Sequence, residues 1–138
     1  SFVYNVSEEF DECRHNPGEI LVRDAGGYTH WGVYVGDGRV VHVPGSSRGF
    51  QFACTCKVKE VSLRTFANGE DVYVCKVPKC GSRGHDKSCD SALSRVGESW
   101  DYDVASHNCM SFAFECRANR STGVMMSLDN ILHKMFSF

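Results

Sequence analysis

Between Glu19 and Val43 apolar and polar residues alternate with a period of two, the spacing of β-strands whose side chains point to opposite faces. Glu19 to Arg23 (EILVR) is a first predicted strand and Asp24 to Gly27 the turn after it. Thr29 to Val43 (THWGVYVGDGRVVHV) is a predicted hairpin with Gly36-Asp37-Gly38 at its tip. Three such consecutive strands predict an antiparallel meander. The length of the hairpin loop decides which residues share a face. With Gly36, Asp37 and Gly38 all in the loop, Val35 pairs with Arg39, and residues whose numbers sum to 74 lie opposite one another. The odd positions Trp31, Val33, Val35, Val41 and Val43 then form an apolar face suited to a core, while His30, Tyr34 and His42 share the other. A two-residue loop would put the histidines on opposite faces. A three-residue loop is therefore expected, with glycine supplying the positive φ.

Further along, Phe50 to Cys56 and Lys57 to Phe66 read as strand material, Asn68-Gly69 as a turn, and Val72 to Val77 as the strand that completes a sheet of about five or six. The period then changes. Ala92, Leu93 and Val96 predict a helix capped by Ser88 or Asp90 and ending at Gly97, and Trp100 to Val104 leads on toward a second helix. There Cys109, Phe112, Ala113 and Cys116 fall at i, i+3, i+4 and i+7 behind a cap at Asn108 or Ser106. Residues 124–138 have helical spacing and pack on the domain in the simplest reading. Ser1 to Asn16 is acidic and mixed and is expected to lie along the surface. The fold class is α+β: one domain over residues 1–138, with its core at about 18–123 and an antiparallel sheet packed against helices.

A chain of 138 residues is long enough to bury a real core as one domain. Its net charge of −2 supplies no global basic field, so contact with RNA would need a local patch. Leu128 to Phe138 is too short and too polar to span a bilayer, and no transmembrane segment is expected. Eight cysteines are more than ordinary usage but fewer than a small disulfide scaffold carries. With no apolar leader at Ser1 to Tyr4, a reducing, cytosolic setting is expected.

Three residues stand out as candidate chemistry. His42 lies opposite Gly32 in the predicted register, diagonal to His30, near enough for one imidazole to orient the other. Two histidines in a strand pair are more commonly half-exposed surface residues. Cys109, in the first turn of its helix, would have its thiolate favoured by the helix dipole and free amide groups. His107 is a competing base by proximity, with helix capping as its simpler role. Cys75, Cys80, His85 and Cys89 give C-x4-C-x4-H-x3-C, close to a zinc knuckle but with a wider first spacing. The alternative is a basic loop carrying Lys76, Lys79, Arg83 and Lys87. That loop is the preferred reading and the most plausible RNA patch, and no metal or cofactor is expected.

HWGVYVGDGRVVHV resembles the H-box of the lecithin retinol acyltransferase and HRAS-like suppressor group, a circularly permuted relative of the papain-like NlpC peptidases. Asn108-Cys109 followed by Phe112 resembles that group's NCEHF box, and the similarity runs from about Gly18 to Gly123. The resemblance implies a permuted papain-like fold with Cys109 as nucleophile, His30 as general base and His42 as the group that orients His30. It also implies an acyl group taken from a phospholipid as a thioester and passed to water or another acceptor. Met110-Ser111 replaces the group's Glu-His. That change, the short length and the start at Ser1 resemble the picornaviral 2A proteins of the H-box/NC type. That branch implies a non-proteolytic role in viral RNA replication in the host cytoplasm, peripheral to replication membranes, with viral RNA, host proteins or a phospholipid surface as partners. An active phospholipase A/acyltransferase is the alternative.

Overall fold

The computed structural model describes residues 6–26, 28–45, 53–76, 84–103 and 108–117. Six strands form the main sheet: β1 (Val6–Glu9), β2 (Ile20–Asp24), β3 (Thr29–Gly36), β4 (Arg39–His42), β6 (Lys59–Ser62) and β7 (Val72–Cys75). Their order is β1-β7-β2-β3-β4-β6, with every pairing antiparallel, and the expected meander is its centre. A separate two-stranded ribbon pairs β5 (Ala53–Lys57) with β8 (Ser99–Asp103). Three helices complete the described chain: α1 (Leu63–Ala67), α2 (His85–Ser94) and α3 (Cys109–Arg117).

The hairpin keeps the expected register by a different route. Val33 pairs with Val41 and Tyr34 with Val40, so their numbers do sum to 74, but Gly36 pairs with Arg39 across a bulge. The loop is therefore the two residues Asp37 and Gly38, at φ 51° and 68°, the double positive φ of a type I′ turn. Val35 is the extra residue of the bulge, and this one insertion restores the parity that a two-residue loop alone would break. His30 and His42 thus remain on one face.

Both faces of the sheet are buried. On one, Ile20, Val22, Trp31, Val33, Val41 and Val43 pack against Phe112, Ala113 and Cys116 of α3 and Ala92 of α2. On the other, Leu21, Tyr34, Val40, Val72 and Val74 surround Phe66 of α1, with Phe10 and Leu63 at the margin. The histidine face is thus a second core, where the alternation had suggested half-exposed surface.

Four further expectations are corrected. Residues 6–9 are an edge strand on β7 because that strand's outer side offers free backbone groups. The stretch Lys57 to Phe66 is not all strand: Ser62 caps α1 by accepting from the Thr65 amide at 3.1 Å, and Asn68 closes it at φ 50°. The helix expected to be capped by Ser88 or Asp90 begins at His85 with Gly84 as its cap, four or six residues earlier; it is followed by Gly97 at φ +88°, as expected. Trp100 belongs to a paired strand rather than a connection. Buried Arg95 joins these parts: its guanidinium lies 5.1 Å from the Trp100 and Phe112 ring centres and bonds Glu98 at 3.2 Å and Glu115 at 3.3 Å. It fixes the seat of α3 and therefore the place of Cys109.

Gly32 marks the closest approach on the histidine face. A Cβ there would lie 2.7 Å from Val40 Cγ1 and 2.8 Å from Phe66 Cε1. Gly32→Ala is expected to lower stability by about 1–3 kcal/mol, the usual cost of overpacking, as read by urea unfolding. An unchanged midpoint would show that Phe66 moves aside freely.

Candidate active site

His30 is the second residue of β3, His42 the last of β4 and Cys109 the first of α3. The two rings meet each other, while the thiol packs with the core of the opposite face and touches the backbone on either side of His30. The helix start is built locally. Asn108 Oδ1 accepts from the Ser111 amide at 3.1 Å, while the Asn108 amide donates to Ser111 Oγ at 3.2 Å, a reciprocal capping box. Ser111, one of the two departures from the NCEHF pattern, therefore keeps the helix start intact. Met110 packs on the core.

His30 Nε2 and His42 Nδ1 are 2.7 Å apart, with the rings nearly perpendicular at 80°. Each histidine is only 7% exposed. Phe66 covers both, its ring centre 5.2 Å from that of His30 and 5.8 Å from that of His42. Arg23, paired with His30 across β2 and β3, donates from Nε to the Phe66 carbonyl at 2.6 Å and so ties α1 to the sheet. Cys109 is buried, and its thiol lies 3.8 Å from the Thr29 carbonyl oxygen. A backbone hydrogen bond from Trp31 also reaches the sulfur. These two peptide groups immediately precede and follow His30.

The electrostatics favour neutral groups. Burial, then the nearby His42 and Arg23, hold the His30 imidazole down to about 3. Burial, Arg23 and Lys59 hold His42 down to about 4. Both rings are uncharged at neutral pH. Burial likewise pushes the Cys109 thiol up, against backbone hydrogen bonds at Trp31, Met110 and Cys109 and one from the Tyr102 side chain. The sequence had suggested a thiolate stabilised by the helix dipole. In the folded chain desolvation outweighs it, because a charge at a helix start is stabilised by about 1 kcal/mol while burial of an anion costs more. The resting pair is thiol and imidazole, so the proton has to move during attack.

The zinc-knuckle spacing finds no support among the described residues, which hold no group of three or more metal-binding side chains. His85 Nε2 pairs with Glu19 at 2.6 Å, Cys89 faces the Val35 carbonyl oxygen at 3.8 Å, and Cys75 is buried in the core of the sheet. Lys79, Cys80, Arg83, His107 and the expected helix over 124–138 lie outside the described residues. Among those described, no helix is long and apolar enough to cross a membrane.

Phe66, Arg23 and Tyr102 are site residues that pattern reading did not single out. Gly32, a residue without a side chain between His30 and Tyr34 on one face, was the available signal that something packs closely there. Tyr102 reaches the thiol from β8, and its ring lies 3.3 Å from where a Cβ on Gly45 would be, so that glycine, at φ +73°, lets the backbone at Gly45 approach the ring.

Residues 13–122 match the profile of the lecithin retinol acyltransferase family. The chain is also 29% identical over 119 residues to human phospholipase A and acyltransferase 4, a similarity covering 76% of this chain and 71% of that protein.

Proposed function

From the premise that the chain belongs to the lecithin retinol acyltransferase family, we propose that Cys109, His30 and His42 take an acyl group from a phospholipid and pass it to water or another acceptor. The observation that carries this reading is the seat of the thiol. Sulfur lies against both peptide groups of His30 while His30 Nε2 is engaged by His42. Nδ1, the other ring nitrogen, is the proposed acceptor of the thiol proton. The tautomer follows: Nε2–H of His30 donates to His42 Nδ1, and Nδ1 of His30 is the acceptor.

Attack then forms the S–C bond to the ester carbonyl as the thiol proton passes to His30 Nδ1. The Cys109 amide, at the helix start, donates to the oxyanion. Collapse breaks the ester C–O bond, and His30 returns the proton to the departing alcohol of the lysophospholipid. Water or another acceptor, deprotonated by His30, attacks the thioester carbonyl, and the C–S bond breaks as His30 returns the proton to the Cys109 sulfur. His42 stabilises the imidazolium of each step. The chain order, with both histidines before the cysteine, fits a permuted papain-like arrangement in one H-box/NC domain. A working Cys109 needs a reducing compartment such as the cytoplasm.

Met110-Ser111, where the family pattern has Glu-His, favours a second reading: a picornaviral 2A-type protein of the host cytoplasm that supports viral RNA replication through RNA or host partners. One experiment separates the two. Intact-mass spectrometry after incubation with short-chain phosphatidylcholine is expected to show one acyl adduct on the wild type and none on Cys109→Ala. A folded wild type with neither adduct nor released fatty acid overturns the acyl-transfer reading and leaves the second.

A further inference from the structure

Two imidazoles joined by one hydrogen bond need more than their backbones to hold them. The bond requires the N–H of one ring to point along the in-plane lone pair of the other. In a pair crossed at 80°, that condition is met over a narrow range of the two terminal side-chain torsions. Those torsions are intrinsically broad for histidine. A wall against the rings is therefore required, and one residue meets both.

We propose that Phe66 is a positioning residue: delivered by α1, it sets the planes of His30 and His42 and thereby fixes the hydrogen bond between His30 Nε2 and His42 Nδ1. Phe66 is fully buried, tilted at 32° over His30 and edge-on to His42 at 75°. Its place is built from several directions. The Leu63 amide donates to the Gly38 carbonyl at 2.8 Å, Ser62 caps the helix, and Arg23 holds the Phe66 carbonyl at 2.6 Å. Gly32 removes the side chain that would keep the ring off the sheet. A five-residue helix contributes little stability of its own, yet every one of these contacts converges on the ring over the histidines.

The same ring excludes water from the pair, consistent with burial as the largest cause of the depressed histidine values. The other charged groups acting on the pair are Arg23 from β2 and Lys59 from β6. None of these changes when Phe66 is replaced. The inference rests on the acyl-transfer reading for its purpose but not for its test.

Long-range proton–nitrogen NMR of the 15N-labelled full chain reads histidine tautomers and titration midpoints without any substrate. In wild type, His30 is expected as a single tautomer protonated on Nε2. Phe66→Leu keeps the face apolar but removes the flat wall, and is expected to show both His30 tautomers. Phe66→Ala, where folded, is expected also to raise both midpoints by about 1 pH unit or more as water enters. A folded Phe66→Leu with His30 still in the single wild-type tautomer and unmoved midpoints overturns the proposal. A tautomer change alongside a wild type that forms no acyl adduct upholds the positioning role and overturns the acyl-transfer reading instead.

Discussion

His30→Gln is expected to slow thioester formation at Cys109 by about 10²- to 10⁴-fold, the range that a positioned general base contributes. The argument turns on the resting state. Burial keeps the thiol protonated, so without His30 to take the proton there is little thiolate to attack. Glutamine retains a polar contact for His42 and occupies similar space, which limits the loss to the base itself. His42→Gln should cost less, about 10- to 100-fold, because the amide oxygen still accepts from His30 Nε2 but stabilises the imidazolium poorly. Residues acting as one unit are not additive, so Cys109→Ala with His30→Gln should be no worse than Cys109→Ala alone. Single-turnover mass spectrometry on short-chain phosphatidylcholine measures all four. A folded His30→Gln with the wild-type rate of adduct formation would remove His30 from the mechanism.

Acidification from pH 7 to pH 5 is expected to cost about 4 kcal/mol of folding stability through the histidine pair. The folded values are about 3 and 4, against 6.5 for a free imidazole. Between these limits the unfolded chain binds more protons, so stability falls as pH falls. The contribution is fully present above about pH 6.5 and is lost progressively as pH drops toward the folded values. At pH 5 each histidine accounts for about 2 kcal/mol, at about 1.36 kcal/mol per pH unit. Against a total of about 5–15 kcal/mol this is a large share. Urea unfolding of wild type and of His30→Gln/His42→Gln at both pH values tests it, since other titrating groups cancel in the comparison. Equal pH sensitivity in the two proteins would show that the pair is not kept neutral by the fold.

The strands β2, β3 and β4 could be read from period-two alternation, and the α3 cap from Asn108, because both are local effects of a few residues in sequence. The parity that places His30 and His42 on one face was legible too, although its mechanism was not: a bulge at Val35 does what a longer loop was expected to do. An alternating pattern tells one face from the other but does not say whether both are covered. That depended on Phe66, distant in sequence and carried by a helix too short to show periodicity. The same limit applies to the thiol. Sequence placed Cys109 at a helix start and so suggested a stabilised anion, but its ionisation is set by burial, which outweighs the hydrogen bonds that reach it from Trp31 in β3 and Tyr102 in β8. What the chain determined by itself is the set of local elements and which residues each presents on a given face. What only the tertiary structure decided is which faces lose their water, because desolvation sums over parts of the chain that no local window contains.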